Sequence, residues 1–198
     1  PEPSLSSPPV SLPYDLEACT ELMRGGSKSF FAASRLLPVR LRPPAIALYA
    51  FCRLADDAID EGDDPVLAMA DLKSRLAAIY AGRPGAEDAD RALTIVVHRY
   101  GIPSGLLEAL LDGFLWDSQG RRYETLSDVE AYGARVAGTV GAMMSIIMGA
   151  STDTAIARAS ELGVAMQLTN IARDIGADAK MGRLYIPRAW FREIGMDA

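Results

Sequence analysis

The sequence predicts an all-α protein, and two observations support this fold class. From Tyr14 onward the apolar residues recur at the three- and four-residue spacing of helices. No run of alternating β-branched residues is bounded by hairpin turns, and no internal repeat has a solenoid period. We therefore predict a single all-α domain over residues 14–198, preceded by a flexible Pro- and Ser-rich tail over residues 1–13.

Residues that commonly begin or end helices divide the first part of this domain. Pro43 and Pro44 fit the first turn of a helix, where a missing N–H needs no partner. Asp64 is a candidate N-cap in front of Pro65, and Gly101 follows another periodic segment as a candidate stop. The predicted helices here cover residues 43–61, 65–82, 88–100 and 103–119.

Three further helices are predicted in the rest of the chain. Ser127 and Glu130 have the spacing of a capping box and would open a long helix that includes the uncharged stretch 136–152. At 17 residues this stretch is just short of a membrane span, so we expect a buried core helix. Asp153 is the predicted cap of the next helix, and a short helix is predicted over residues 187–194.

The composition excludes several classes of protein. The 198 residues carry 20 Lys and Arg against 26 Asp and Glu, so the net charge of −6 argues against nucleic-acid binding. A hydrophobic content of 49% is typical of a globular chain rather than a disordered one. Cys19 and Cys52 are too few for a disulfide framework, and the N-terminus lacks a signal-peptide pattern. We therefore expect a cytoplasmic protein.

The segment YAFCRLADDAID places four functional side chains on one helix face. At ~100° per residue, its tyrosine, arginine and two aspartates fall within about 60° of one another. These residues are Tyr49, Arg53, Asp56 and Asp60. Flanking apolar residues can pack the opposite face into the core.

The segment QLTNIARDIGAD repeats this arrangement on a second helix. Its glutamine, asparagine and two aspartates again share one face. These residues are Gln167, Asn170, Asp174 and Asp178. Two otherwise apolar helices thus each carry an aspartate pair with i, i+4 spacing, extended by further polar residues.

Four carboxylates gathered in a cleft predict a divalent cation site. Desolvation and mutual repulsion would raise their pKa values unless a positive group lay between them. Mg²⁺ suits such oxygen donors, because it keeps several waters and completes its shell with substrate phosphate oxygens. Arg53 and Arg173 lie beside the two pairs and could contact the same phosphates. The alternative is two solvated helix faces with ordinary surface ion pairs.

At these residues the sequence resembles the squalene and phytoene synthase family. Both aspartate segments and three other segments are similar to family motifs and occur in family order. The likeness spans residues 15–198 and is strongest to bacterial members of carotenoid pathways. The similar segments are SKSFFAASRLLP (27–38), DDAID (56–60), YGARVAGTVG (132–141), NIARDIGAD (170–178) and GRLYIP (182–187).

The resemblance implies a class I isoprenoid synthase helical bundle around a central cavity. Both aspartate motifs would face this cavity, where Asp56, Asp60, Asp174 and Asp178 would act in catalysis by binding Mg²⁺ or Mn²⁺. Tyr132 would lie near the reacting carbons as a further catalytic residue. 

The resemblance also implies three groups of substrate-binding residues. Lys28, Arg53 and Arg173 would hold diphosphate, while Gln167 and Asn170 would support the second aspartate face. The segment through which substrate enters contributes Ser27. The prenyl tunnel would be lined by Phe30, Tyr49, Val136 and Gly141. Without the resemblance, Phe30 and Tyr49 are equally well interpreted as core aromatics, and Gly141 as a site of close helix packing.

In that family two geranylgeranyl diphosphates join head to head through a cyclopropyl diphosphate to give phytoene. No nicotinamide cofactor is expected. The expected partners are prenyl diphosphates, with no nucleic acid, and a lipophilic product is compatible with peripheral association at the inner membrane. Trp116 and Asp117 are assigned only packing and loop anchoring.

Other functions stay open at this point. A squalene, dehydrosqualene or presqualene diphosphate synthase would use farnesyl diphosphate, and an elongating synthase would repeat DDxxD in its second motif. A non-catalytic helical module that binds a lipid or a partner belongs to another class. Family members continue through several more helices, so we expect that this chain lacks them and self-associates through the faces they would cover.

Overall fold

The computed structural model of the protein describes residues 15–60, 62 and 64–196. These residues form helices and no β-strand, which confirms the all-α prediction. The predicted tail of residues 1–13 lies outside the described residues. The α-helices in chain order are α1 (Leu16–Gly26), α2 (Lys28–Leu36), α3 (Arg42–Asp60), α4 (Pro65–Tyr80), α5 (Asp88–Tyr100), α6 (Ser104–Ser118), α7 (Leu126–Gly133), α8 (Thr139–Ile147), α9 (Asp153–Lys180) and α10 (Arg188–Glu193).

Two short segments of other helical geometry complete this order. A 3₁₀ turn, Val39–Leu41, leads into α3, and a π-helical turn, Ala134–Gly138, joins α7 to α8 without a break. Residues 136–147 of the uncharged stretch therefore belong to a continuous helix whose residues Met143 and Ile147 are buried, as predicted, whereas residues 148–152 form the connection to α9. Within the described ranges, no helix has both the length and the apolar character that a membrane crossing needs.

The helix starts are fixed by side chains that accept otherwise unpaired backbone N–H groups. The Asp64 carboxylate accepts from the backbone N–H groups of Val66 and Leu67, which confirms this residue as the cap of α4. The predicted stop at Gly101 is also confirmed, because this residue has the left-handed φ of 64° that favours glycine after a helix.

Two predicted caps are wrong by one or two residues. The capping box of α7 consists of Thr125 and Asp128 rather than Ser127 and Glu130, because Thr125 has the extended backbone of a cap and exchanges hydrogen bonds with Asp128. The cap of α9 is Thr152, whose hydroxyl accepts from the Ala155 N–H, so Asp153 is already the first helical residue.

Helix α3 is the centre of the larger apolar core. Its residues Phe51, Ala55 and Ile59 are completely buried and pack among residues of α1, α4, α5 and α6. Burial of the Phe51 side chain alone stabilises the fold by about 2 kcal/mol. This packing fixes the rotation of α3 about its axis, and with it the direction in which the opposite face points.

Helix α9 crosses the π turn and α8 at very short distance. A Cβ atom on Gly163 would lie 2.3 Å from the carbonyl oxygen of Ala137, and one on Gly141 would lie 2.3 Å from that of Ala159. Only glycine permits this approach of two backbones. The position of α9 therefore depends on the absence of a side chain at Gly163 as much as on buried apolar side chains.

We expect Gly163→Ala to lower the free energy of unfolding by about 2 kcal/mol, because the added methyl group forces α9 away from the π turn. Gly176→Ala is the matched control on the same helix, since nothing lies within 4 Å of the added atom. That variant should be unchanged or more stable by up to about 1 kcal/mol. Urea denaturation followed by circular dichroism measures both; equal destabilisation by the two variants would contradict the close-packing argument.

Candidate active site

A polar pocket of about 260 Å³ lies between α3, α6, the helix that spans α7 and the π turn, and α9. It brings together three of the four motif aspartates with four other residues of the predicted site: Tyr132, Val136, Gln167 and Asn170. Its lining residues are Asp56, Phe114, Asp117, Tyr132, Val136, Gln167, Asn170, Ile171, Asp174, Asp178, Arg183 and Tyr185. The faces of the two motif helices thus meet at one cavity.

Asp60, the fourth motif aspartate, lies at the margin of this pocket and contacts Arg183, which lines it. Arg183 donates from Nη2 to the Asp60 carboxylate at 2.6 Å, although the two residues are 123 positions apart. This ion pair joins the chain after α9 to the end of α3. The positive charge of Arg183 also opposes the rise in the pKa of Asp56 and of Asp178.

Like charges and burial perturb the carboxyl groups of the pocket. Burial, with the nearby charge of Asp60, raises the pKa of Asp56 to about 6 despite the opposing charge of Arg53. Burial and the charge of Asp174 likewise raise the pKa of Asp178. Asp174 differs, because hydrogen bonds from Arg173 lower its pKa.

The donors of the pocket fit Mg²⁺ in kind but do not form a closed metal cage. In the part of the chain that the structure describes, no three His, Cys, Asp or Glu residues are grouped closely enough to hold a metal ion. Mg²⁺ normally keeps several waters and takes only one or two carboxylates, so it does not need such a cage. The raised pKa of Asp56 shows a carboxylate that an added cation would stabilise.

A carboxylate holds two tyrosines on the opposite wall of the pocket. The hydroxyls of Tyr132 and Tyr185 donate to the two oxygens of Asp117 at 2.6 and 2.7 Å. The rings of these two tyrosines are stacked, with centroids 5.0 Å apart, and Tyr123 packs against both. Burial raises the pKa of Asp117, and burial together with the Asp117 charge raises the pKa of the Tyr132 hydroxyl.

The role assigned to Asp117 from the sequence was therefore incomplete. Its carboxylate lines the pocket rather than serving only as packing or a loop anchor. Sequence reasoning also gave no role to Arg183 and Tyr185, although both lie in the segment GRLYIP, whose likeness to the family could have indicated them. The segment around Asp117 also resembles the family, but the partners of Asp117 come from α7 and from the segment after α9, so the local sequence did not indicate its role in the pocket.

An apolar pocket of about 340 Å³ adjoins the polar one. Phe114 and Val136 line both pockets, so the two cavities share a wall. Three residues predicted to line a prenyl tunnel, Phe30, Tyr49 and Val136, lie here, and the Phe30 and Tyr49 ring centroids are 5.7 Å apart. The remaining lining residues, from α1, α2, α3, α6 and α8, are predominantly apolar.

Some residues predicted to bind substrate lie elsewhere. Gly141 touches the α9 backbone, which matches the close-packing alternative and not a tunnel wall. Arg173 is exposed and pairs with its neighbour Asp174 at 2.5 Å, outside the lining of the polar pocket. Lys28 is exposed and lines neither pocket.

Two other residues of the predicted set have local partners. Ser27 caps α2, and its hydroxyl accepts from the Phe30 N–H at 3.2 Å. The Arg53 guanidinium lies 2.5 Å from Asp57 and 3.9 Å from Asp56. Arg53 is therefore adjacent to the first motif, but its closer partner is Asp57, which does not belong to the predicted face of Tyr49, Arg53, Asp56 and Asp60.

Solved structures with the same arrangement of helices define the class as the isoprenoid synthase fold. The squalene synthase HpnC from Alicyclobacillus acidocaldarius superposes with a TM-score of 0.85 at 30% identity, over 92% of this chain and 69% of that chain. A dehydrosqualene synthase, solved in complex with a ligand, gives a TM-score of 0.83 at 33% identity, over 91% and 63% of the two chains.

Residues 23–198 match the sequence profile described as squalene/phytoene synthase. A phytoene synthase of Rhodobacter capsulatus is 55% identical over 92% of this chain and 55% of its own length. One from Cereibacter sphaeroides is 52% identical over 92% of this chain and 54% of its own length. The chain belongs to the squalene/phytoene synthase family, and it spans about half the length of these two relatives.

The raised pKa of Asp56 predicts a pH-dependent stability. The folded protein holds this proton more tightly than the unfolded chain, so ionisation of Asp56 lowers the free energy of unfolding as pH rises from about 4 to about 6. Asp56→Asn removes this loss. In buffer with a chelator we expect the free energy of unfolding of the variant to be about 1 kcal/mol higher than that of the wild type near pH 7 and equal to it near pH 4. The difference is this small because solvent screens the partly exposed carboxylate.

Urea denaturation at the two pH values measures this difference. Asp71→Asn, at an exposed position of α4, is the control and should show no pH-dependent difference of this kind. A stability of Asp56→Asn that stays below the wild type near neutral pH would contradict the electrostatic account.

Proposed function

We propose that this protein is a phytoene synthase: it joins two geranylgeranyl diphosphates head to head, through a cyclopropyl diphosphate, and releases diphosphate to give 15-cis-phytoene for carotenoid biosynthesis. The observation that carries this proposal is the pair of adjoining pockets, one acidic and one apolar, in a chain 55% identical to a phytoene synthase. Such a pair suits a substrate that has a diphosphate at one end and a hydrocarbon chain at the other.

Asp56, Asp174 and Asp178, with Asp60 at the margin, would hold Mg²⁺ or Mn²⁺, and Gln167 and Asn170 lie on the same wall. When bound, the metal stabilises the negative charge that grows on a departing diphosphate. These carboxylates supply the oxygen donors that such ions prefer, and the pocket leaves room for phosphate oxygens and water between them.

Arg183 is the positive side chain best placed to contact a diphosphate in this pocket. It lines the cavity and is bound to Asp60 by a single ion pair. Asp60 would help to hold the metal, and the Arg183 guanidinium, whose forked donors match phosphate oxygens, would then be available to the diphosphate. Arg53 and Lys28 would take part only after moving from the positions they have here, since neither lines the polar pocket.

The tyrosines supply an environment in which a carbocation survives. Their ring faces are electron-rich and attract a cation. Asp117 fixes the Tyr132 and Tyr185 hydroxyls, and thereby the orientation of both rings. The raised pKa of Tyr132 keeps its Oη protonated, so the hydroxyl does not trap the cation as a phenolate nucleophile would. The apolar pocket excludes water from the same region.

A squalene, dehydrosqualene or presqualene diphosphate synthase is the second candidate, and one observation favours it. The superposed structures are a squalene synthase and a dehydrosqualene synthase. Such enzymes would accept a shorter prenyl chain in the apolar pocket. A non-catalytic module that binds a lipid is the candidate of a different class. We also propose a cytoplasmic location with peripheral attachment to the membrane, because substrate and product are lipophilic.

The product assay distinguishes these candidates. We expect incubation with geranylgeranyl diphosphate and Mg²⁺ to yield phytoene without NADPH, and farnesyl diphosphate in a parallel reaction to yield less product. The hydrocarbons are identified by chromatography and mass spectrometry. Turnover of farnesyl diphosphate alone, a strict NADPH requirement or the absence of any product would overturn the proposal, and the first two outcomes would favour the squalene-type alternatives.

Two aspartate variants test the proposed metal site with and without turnover. We expect Asp56→Asn and Asp174→Asn each to lower the rate by about 100-fold or more, because each removes a metal-binding oxygen. The melting temperature of the wild type should rise when MgCl₂ is added, and that of the variants should rise less. Helical circular dichroism should be unchanged. Asp71→Asn is the control, and a magnesium response equal to the wild type in both site variants would refute the metal-binding role.

A further inference from the structure

The turn between α2 and α3 holds two apolar side chains out in solvent. Leu36 is 88% exposed and Val39 is 74% exposed, on either side of Pro38. Residues 35–40, which we call the 35–40 turn, join the last residues of α2 to the 3₁₀ turn before α3. These two neighbouring branched side chains would be more stable in an apolar environment than in water.

The backbone of this turn is fixed rather than loose. Arg42 donates from Nε to the carbonyl oxygen of Leu37 at 2.9 Å and from Nη2 to that of Arg35 at 2.8 Å. One guanidinium thus closes both sides of the turn. Leu36 and Val39 are therefore presented outward by a preformed structure, so contact with a partner would cost little ordering of the backbone.

The 35–40 turn lies in a basic segment of an otherwise acidic protein, although Arg24 and Arg53 of that segment are paired with Glu21 and Asp57. The segment 22–55 contains no Asp or Glu, whereas the whole chain has a net charge of −6. Its basic residues are Arg24, Lys28, Arg35, Arg40, Arg42 and Arg53. Exposed apolar side chains flanked by basic ones are the composition with which proteins bind the interface of an anionic bilayer.

The same segment forms one wall of the apolar pocket. Phe30, Ala33, Ser34 and Leu37 recur at helical spacing along α2 and line this pocket. Phe30 is also 55% exposed, so the pocket reaches the surface on the side of α2. A bilayer in contact with the 35–40 turn would lie beside this opening.

Two other exposed apolar sites lack these properties. Val66 and Leu67 are 67% and 68% exposed on α4 but lie next to Asp64. Leu162 on α9 is exposed beside Glu161. Acidic neighbours would be repelled by an anionic surface. Charge therefore distinguishes the 35–40 turn from these two sites.

We propose that the 35–40 turn docks the protein on the surface of an anionic lipid bilayer, with Leu36 and Val39 inserted at the headgroup level and Arg35 and Arg40 on the lipid phosphates. The advantage of docking rests on the proposed function, because prenyl chains would pass between the bilayer and the apolar pocket with little exposure to water. The binding itself depends only on the turn.

Vesicle co-sedimentation tests the docking surface. We expect the protein to bind vesicles of phosphatidylglycerol, to bind vesicles of phosphatidylcholine weakly, and to lose binding as salt is added. Leu36→Ser/Val39→Ser should lower the partition coefficient by about tenfold or more, and Arg35→Gln/Arg40→Gln by a similar factor. Val66→Ser/Leu67→Ser is the matched apolar control, and Arg83→Gln/Arg158→Gln the matched charge control; both should bind as the wild type does.

The proposal is overturned if the wild type does not bind phosphatidylglycerol, if it binds both lipids equally, or if the controls lose as much binding as the turn variants. Turnover of detergent-dispersed geranylgeranyl diphosphate separates this result from the proposed function. Leu36→Ser/Val39→Ser should keep the wild-type rate in detergent and lose rate on substrate embedded in vesicles. An inactive wild type in detergent would count against the phytoene synthase activity, whereas the vesicle result would still decide the docking surface.

Discussion

The organisation of the site depends on the repulsion between carboxylates that the fold forces together. Asp56 on α3 shares one pocket with Asp174 and Asp178 on α9, Asp60 lies close to Asp56 at the margin, and apolar packing on the opposite side of α3 prevents the α3 pair from turning away. Arg183 reduces this repulsion by pairing with Asp60. Arg183, which follows α9 in the chain, therefore compensates part of the negative charge of the carboxylates. A divalent cation would compensate more of it. With a cation bound there, a protein of net negative charge would be able to hold the anionic substrate that we propose.

A second constraint is geometric. Helix α9 carries half of the acidic face but buries few of its own side chains; Gly163 and Ile171 are its buried residues. Its position is set by backbone approach at Gly163 and at Gly141 on the facing helix, where any side chain would collide with a carbonyl group. Glycines thus align the second motif with the first. Of the two helices that carry the motifs, only α3 contributes to the larger apolar core. The two halves of the site are positioned by different physical means.

The sequence was sufficient for the α-helices from α3 onward and for the two aspartate faces, because both follow from local periodicity, whereas α1 and α2 were not delimited. Asp64 and Gly101 mark helix ends by their own chemistry, and the structure agrees. Caps were wrong where neighbouring candidates competed: Thr125 and Ser127 are equally good residue types, and only the hydrogen bonds distinguish them. Asp117 could not have been found in this way, because its value depends on two tyrosines that are distant in sequence. Gly141 was assigned to a tunnel on the basis of resemblance, and its contact with Ala159 is a tertiary fact.

The π-helical turn at Ala134–Gly138 restricts changes in the length of the continuous helix that joins α7 to α8. One extra residue per turn shifts the side chains that follow it by about 100° relative to those before it. Tyr132 and Val136 consequently face the pockets, while Gly138 and Gly141 face α9. Deleting one residue from this turn would restore regular hydrogen bonding but rotate one of these two faces out of register. The π-helical turn therefore keeps the side chains that line the pockets in register with the glycines that face α9, and this requirement constrains its length.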